Sequence, residues 1–118
     1  YAKQREAFGQ PIIQFEGVSF KLVDAATFIE AARLLTYKAA WLIDQGKPDP
    51  MITSMAKTFA SEIAVRVTEW CIGLLGGYGY FADYKVERYH RDAIVTTIYE
   101  GTNEIQRLTT LRYMLRRM

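Results

Sequence analysis

Two long stretches of apolar residues, each repeating in steps of three and four, constrain the fold of this chain more than any other feature. The first runs from Val18 to Ile43 and the second from Ile52 to Leu74. This spacing is the period of an amphipathic α-helix. The segment "GKPDP" at 46–50 separates the two stretches, because its glycine and two prolines cannot continue a helix. The sequence therefore predicts two helices, over about 18–45 and 52–74.

The rest of the chain adds shorter helical segments. Residues 1–6 resemble the tail of a helix that Gly9 and Pro11 interrupt, and a short helix is predicted around 86–92. A last helix is predicted from about Asn103 to the end, with Asn103 and Gln106 as a capping box. Its predicted buried residues are Ile105, Leu108, Leu111 and Leu115. The predicted fold is all-α: an antiparallel four-helix bundle whose first helix is truncated.

Composition excludes several classes of function. A chain of 118 residues with half its residues hydrophobic is a single globular domain, and a formal charge of +2 is too small to indicate nucleic-acid binding. A single cysteine and a single histidine give no basis for a metal site or an internal disulfide. No apolar run is long enough to predict a membrane span. The chain starts at Tyr1 with no signal-peptide pattern, and it is expected to be a fragment of a longer protein.

Two apparent motifs fail for lack of context. "GYGYFA" at 77–82 matches a variant of the dinucleotide fingerprint, but that fingerprint follows a strand, and here a helix precedes it. "HRD" at 90–92 matches part of the kinase catalytic loop, but Thr97 stands where that loop needs asparagine. Cys71 lies in an apolar helical stretch and is interpreted as an inert thiol, and His90 as a surface or capping residue.

Glu100, in "IYEGTNEIQR" at 98–107, is the residue with the most open role. It could be a solvated loop acid, a helix-capping acid or a general base. The apolar neighbours Ile98 and Tyr99 would disfavour the charged carboxylate, whereas the start of the next helix would favour it. Opposed effects of this kind are typical of a carboxylate that serves as a base.

Four motifs in a fixed order make the chain resemble the acyl-CoA dehydrogenases. They are "R-x-x-F-G-x-P-I" at 5–12, "GGYGY" at 76–80, "ER-x-x-RD" at 87–92 and "IYEGTNEIQR" at 98–107. The resemblance covers essentially the whole chain, residues 1–118, and it is to the C-terminal helical-bundle domain of such an enzyme.

The resemblance implies a reaction and a role for Glu100. In this family a glutamate removes a proton from the carbon α to an acyl-CoA thioester, while a hydride leaves the β carbon for N5 of FAD. The matching base is Glu100, and its backbone N–H would be one donor to the thioester oxygen. Gly101 matches a position against the substrate, and Tyr99 would line the acyl pocket.

The resemblance also implies contacts to FAD. Arg5 would reach the pyrophosphate of a neighbouring subunit's cofactor, Phe8 would pack near the adenine, and the other matched positions are Gly76, Gly77, Thr102, Asn103 and Glu104. The alternative for the glycine pair is a helix C-cap. Gly73 and Glu16 stand where the family has glutamine. Because glycine offers no side-chain donor and a carboxylate repels phosphate, FAD binding at these two positions is in doubt.

The remaining expectations concern partners and alternatives. The resemblance implies an acyl-CoA substrate, electron-transfer flavoprotein as electron acceptor, a homo-oligomer built as a dimer of dimers, and the bacterial cytoplasm or mitochondrial matrix. The isolated domain is expected to be inactive. One alternative is an acyl-CoA oxidase-type enzyme. Another is a non-catalytic helical oligomerisation module in which Glu100 only caps a helix.

Overall fold

Two long helices dominate the computed structural model, which describes residues 1–118. Helix α1 spans Glu16–Asp44 and helix α2 spans Pro50–Leu75. Both agree with the sequence prediction to within two residues at each end. The all-α class is thereby confirmed.

Helix α2 begins and ends where local chemistry dictates. The Asp49 carboxylate accepts hydrogen bonds from the backbone N–H groups of Met51 and Ile52 at 3.0 and 3.5 Å, and Pro50 occupies the first helical position. This is the arrangement that proline and an aspartate cap favour at a helix start. At the other end Gly76 has φ +59°, a value that ends the helix and that glycine adopts without strain.

Three shorter helices complete the fold. They are α3 at Gly77–Tyr80, α4 at Val86–Val95 and α5 at Asn103–Leu115. Short 3-10 helices lie at Ile12–Gln14 and Ala82–Tyr84. None of the helices combines the length and apolar character needed to cross a lipid bilayer.

Helix α2 is the centre of the bundle, and α1, α4 and α5 all pack against it. Helix α5 runs antiparallel to α2, because Asn103 at its start contacts Ser61 while Arg117 just beyond its end contacts Asp49. Helix α1 is also antiparallel to α2. Its ring of Phe28 lies 6.2 Å from that of Trp70, and near its end Ala39 packs with Ile52 and Ala56.

Residues 1–6 differ from the prediction. They form no helix: the backbone N–H groups of Gln4 and Arg5 both donate to the Tyr1 carbonyl in a turn. A two-stranded hairpin follows, with β1 at Glu6–Ala7 paired to β2 at Gln10–Pro11. Phe8 and Gly9 both adopt positive φ at its tip. The glycine and proline that were interpreted as a helix stop therefore build a tight hairpin instead.

The buried core of the chain is small. Only 11 of 118 residues are buried, and no large side chain is fully buried. The apolar side chains predicted to be buried on α5, namely Ile105, Leu108, Leu111 and Leu115, are all 45–59% exposed. The prediction that these residues are buried is wrong, because this chain does not cover the apolar face of α5. The less exposed residues of α5 are Asn103, Gln106, Thr109, Thr110 and Tyr113.

Candidate active site

The loop between α4 and α5 carries Glu100, and backbone hydrogen bonds within the loop and to the end of α4 fix its shape. The Tyr99 N–H donates to the Val95 carbonyl at 3.1 Å, and the Asn103 N–H donates across the loop to the Thr97 carbonyl at 3.0 Å. Tyr99, Glu100 and Gly101 form the tip of this loop, and all three are exposed to solvent. We refer to residues 97–103 as the Glu100 loop.

Glu100 and Gly101 both have left-handed backbone conformations, with φ of +54° and +89°. A glutamate at positive φ is uncommon, because its Cβ crowds the following carbonyl group. Residues held in such conformations cluster at functional sites. The chain thus places the exposed carboxylate at a strained position two residues before the helix cap Thr102.

Gln106, in the first turns of α5, supports this strained segment. Its side-chain Nε2 donates to the Glu100 carbonyl at 3.0 Å, and it lies 3.5 Å from the Gly101 carbonyl. A Cβ atom at position 101 would come within 2.8 Å of the same Nε2. The φ angle of Gly101 therefore favours glycine, and a Cβ atom there would displace the Gln106 amide.

Thr102, and not Asn103, caps α5. The Thr102 Oγ1 accepts a hydrogen bond from the Ile105 N–H at 3.4 Å. Glu104 lies in the first turn, and hydrogen bonds from its own backbone N–H and from the Thr102 hydroxyl hold the pKa of its carboxyl group below the usual value. The predicted capping box of Asn103 and Gln106 is wrong, because both side chains are bonded elsewhere.

Asn103 is buried and joins the Glu100 loop to α2. Its side chain is 3% exposed, and its Nδ2 lies 2.9 Å from the Ser61 Oγ. Lys57 donates to the Asn103 Oδ1 at 2.6 Å, and the Ser61 hydroxyl donates to the Thr58 carbonyl at 3.0 Å. In this arrangement each polar group of the cluster has a partner, as burial requires. The Asn103 side chain faces the protein interior, so a cofactor contact at this position would have to involve its backbone.

A second group of predicted residues lines a groove at the far end of α2. The groove has a volume of about 440 Å³ and brings together Arg5, Gly73, Gly76 and Gly77, beside Tyr78 and Phe81. Because Ser61 and Leu75 are 14 residues apart on one helix, this groove lies roughly 20 Å along α2 from the anchor of the Glu100 loop. The predicted site residues thus form two separate groups on the chain.

The remaining predicted positions lie near the hairpin. Phe8 at the hairpin tip is 98% exposed and makes an edge-to-face contact with Phe15 at 6.2 Å between ring centroids. Glu16 is the first residue of α1 and is exposed, where a carboxylate favours the helix dipole. A side chain at Gly73 would meet no atom within 4 Å, so packing does not require glycine there.

Sequence reasoning missed several residues that shape the site. Gln106 was interpreted as a capping residue, and Lys57 and Ser61 were not singled out. The signal for the last two was their spacing of four, which puts a lysine and a serine on one face of α2. Gly79 was missed as well: a Cβ there would lie 2.7 Å from the Ile72 carbonyl oxygen, so α3 can pack against α2 only with glycine at this position.

Comparison with known proteins identifies the family. Residues 1–115 match the family model described as acyl-CoA dehydrogenase, C-terminal domain. The chain belongs to the acyl-CoA dehydrogenase family. An acyl-CoA dehydrogenase of Bacillus subtilis is 56% identical over 115 residues, which are 98% of this chain and 30% of the relative.

Solved structures of similar proteins share the fold. The butyryl-CoA dehydrogenase of Megasphaera elsdenii is 49% identical with a TM-score of 0.96, over 98% of this chain and 30% of that one. PigA, solved as an FAD complex, is 34% identical with a TM-score of 0.95, over 100% and 31% of the two chains. The chain thus spans about 30% of the length of the relatives that it matches.

Proposed function

We propose that this domain supplies the catalytic base, Glu100, to a longer flavin-dependent acyl-CoA dehydrogenase. The observation that carries the proposal is the left-handed backbone of Glu100, held by a neighbouring side chain and followed by a glycine that allows close approach. A helix cap would not need this conformation, because Thr102 already caps α5. The strained position is explained if its purpose is to aim the carboxylate.

The proposed chemistry begins at the carbon next to the thioester carbonyl. The Glu100 carboxylate accepts the α proton, and the Glu100 N–H donates to the thioester oxygen as negative charge develops there. A bound FAD would supply the two-electron acceptor for the β hydrogen and its electron pair, which balances the oxidation of the acyl chain. Gly101 leaves room for the thioester, and Tyr99 adds an apolar wall for the acyl chain.

We propose that the groove at the end of α2 contacts part of a dinucleotide. Arg5 lines it together with Gly73, Gly76 and Gly77, and a side chain added at any of these glycines would meet no atom within 4 Å. The groove therefore offers open space beside a guanidinium group, which is suited to a pyrophosphate. We place a neighbouring subunit's FAD here. Thr102 and Glu104, with the backbone of Asn103, would face the cofactor that serves Glu100.

Replacing Glu100 with glutamine in the complete enzyme tests the proposed base. The variant keeps size and hydrogen-bonding capacity but cannot accept the proton, so the rate of flavin reduction by acyl-CoA should fall by roughly 10³- to 10⁴-fold. Anaerobic stopped-flow absorbance of the flavin measures this rate. FAD content and thermal stability should stay unchanged. Retention of most of the activity would contradict the proposal and favour a purely structural role for the domain.

We further propose that the 118-residue chain alone has no dehydrogenase activity, because its two groups of cofactor residues lie far apart and its carboxylate is solvent-exposed. Mixing the chain with FAD, an acyl-CoA and an artificial electron acceptor should give no turnover. In the complete enzyme, electron-transfer flavoprotein should accept the electrons. Peroxide production in place of that transfer would identify an oxidase-type reaction.

A role in assembly is favoured by the apolar surface of the chain. Large side chains on the outer face of α1, such as Leu34, Tyr37 and Trp41, are 59–64% exposed. The Cα radius of gyration of 17.6 Å exceeds the roughly 13 to 14 Å of a compact domain of this size. We propose that these surfaces are covered in a homo-oligomer, a dimer of dimers, and size-exclusion chromatography with light scattering of the complete enzyme would test this.

A further inference from the structure

The conformation of Glu100 depends on contacts outside its own residue. Two consecutive residues at positive φ, of which one is a glutamate, are not a conformation that the local sequence favours. Without support, the peptide group between Glu100 and Gly101 could rotate, and the Cα–Cβ bond of Glu100 would then point in a different direction. Some contact must hold this peptide group in place.

Gln106 provides that contact. Its Nε2 is the only side-chain donor to the Glu100 carbonyl, at 3.0 Å, and the same nitrogen lies 3.5 Å from the next carbonyl along the chain. One amide therefore faces both carbonyl oxygens of the strained segment. The side chain is half-buried, and its own backbone is fixed in α5 by the hydrogen bond from the Gln106 N–H to the Thr102 carbonyl at 3.0 Å.

The helix that carries Gln106 is itself fixed to α2. Asn103, three residues earlier, is buried and bonded to Lys57 and Ser61. Arg107, the next residue, forms an ion pair with Glu62 of α2. The first turns of α5 are therefore attached to the central helix on both sides of Gln106, so its amide is held in a defined place relative to the fold.

We propose that Gln106 is a positioning residue, which holds the Glu100 backbone in its left-handed conformation and so aims the catalytic carboxylate. The inference rests on the proposed function of Glu100. Gln106 does not touch the reacting atoms in this account. It acts through the carbonyl group of the base, and Asn103 provides the anchor that makes its position definite.

Two variants of Gln106 in the complete enzyme separate positioning from a merely structural role. Gln106→Ala removes the donor. Gln106→Glu keeps the shape but sets an ionised carboxylate against two carbonyl oxygens. As a helix residue near an N-terminus, glutamate is as favourable as glutamine or better. A structural role therefore predicts that Gln106→Glu is neutral, whereas positioning predicts that it is the more harmful change.

The expected results are a fall in the flavin-reduction rate of about 10-fold for Gln106→Ala and about 100-fold for Gln106→Glu, as for a misplaced catalytic group. The acyl-CoA dissociation constant should change by less than about 3-fold, because ground-state binding is not the target. Thr109→Val is the matched control. It removes the hydrogen bond from the Thr109 hydroxyl to the Ile105 carbonyl in the same helix, and the rate should not change.

Hydrogen–deuterium exchange of the Glu100 loop gives a readout that does not depend on catalysis. Exchange in residues 97–103 should speed up in both Gln106 variants and stay unchanged in Thr109→Val. Unchanged exchange, or a flavin-reduction rate for Gln106→Glu equal to that of the parent enzyme, would overturn the proposal. If Glu100→Gln instead kept its activity, the proposed function would fail, while the exchange measurement would still decide whether Gln106 holds the loop.

Discussion

The two helix starts at α2 and α5 are built in different ways, and we propose that the first serves stability and the second serves catalysis. At α2, an aspartate cap and a proline follow ordinary local rules, and Asp49 itself has a normal φ of −117°. At α5, Thr102 provides the cap, but the two residues before it are left-handed and depend on Gln106. A helix needs only the first kind of start. We propose that the additional structure at α5 serves the role proposed for Glu100.

The cap of α2 is also attached to the far end of the chain. Arg117 lies 2.8 Å from the Asp49 carboxylate, and this hydrogen bond is the main reason that the pKa of Asp49 is below its usual value of 3.8. The carboxylate thereby joins α2 to the residues just beyond α5. At the start of α5, the Asn103 side chain is bonded to residues of α2, and the Gln106 side chain donates to the Glu100 carbonyl. Neither side chain covers the Glu100 carboxylate, which is exposed.

The largest effect is expected from adding a methyl group at the α5 start. Gly101→Ala places a Cβ at φ +89° and within 2.8 Å of the Gln106 Nε2, so that amide must move away from the Glu100 carbonyl. The left-handed conformation alone costs alanine about 1–2 kcal/mol. We expect the flavin-reduction rate of the complete enzyme to fall by roughly 100-fold, as measured by anaerobic stopped-flow absorbance.

Gly17→Ala is the matched control for this substitution. Gly17 lies in the first turn of α1, where an added Cβ meets no atom within 4 Å and φ is not positive. The rate of flavin reduction should be unchanged in this variant. Equal effects of the two substitutions would contradict the idea that the α5 start is specialised.

At the α2 start, a substitution is expected to reduce stability without changing the rate of flavin reduction. Asp49→Ala removes the acceptor for the Met51 and Ile52 N–H groups, and loss of such a cap costs about 1 kcal/mol of stability. The melting temperature of the complete enzyme, measured by differential scanning calorimetry, should therefore fall, while the rate of flavin reduction should stay that of the parent. A large loss of rate without a loss of stability would erase the distinction between the two helix starts.

A smaller effect is expected in the pH dependence of stability at the α2 start. Because the folded-state pKa of Asp49 is lowered, its charge stabilises the folded protein above its unfolded pKa, and this stabilisation is lost as pH falls through the folded value. Asp49→Asn keeps a capping oxygen but has no charge. Its melting temperature should be below that of the parent at pH 6, and the difference should shrink as the pH falls below about 4. A difference independent of pH would show that the charge has no role.

Much of this architecture could be predicted from the sequence, since α1 and α2 follow directly from their apolar period. The sequence could not decide whether Thr102 or Asn103 caps α5, because both residue types are good caps. Only the tertiary contacts of Asn103 with Ser61 and Lys57 decide it. In the same way, Gly9 and Pro11 could end a helix or belong to a hairpin. The pairing of Glu6 with Pro11 and of Ala7 with Gln10 selects the hairpin.

The sequence predicted the candidate site residues but not the contacts that support them. The order of four motifs pointed to Glu100 and to Arg5, Gly76 and Gly77, and the structure brings the last three into one groove. No local pattern shows that Gln106 reaches back six residues to a carbonyl group, since that contact depends on the left-handed turn between them. The sequence also did not predict that Leu108 and the other apolar residues of α5 are exposed. Helical periodicity identifies an apolar face, but it does not show whether another part of the chain packs against that face.

The most direct test of the central claim follows the α proton itself. The complete enzyme is incubated with acyl-CoA in heavy water without an electron acceptor, and mass spectrometry measures deuterium at the α carbon. If Glu100 is the base, the parent enzyme and Asp49→Asn should both incorporate deuterium, and Glu100→Gln should not, although it still binds FAD and acyl-CoA. Deuterium incorporation by Glu100→Gln at the parent rate would contradict the account.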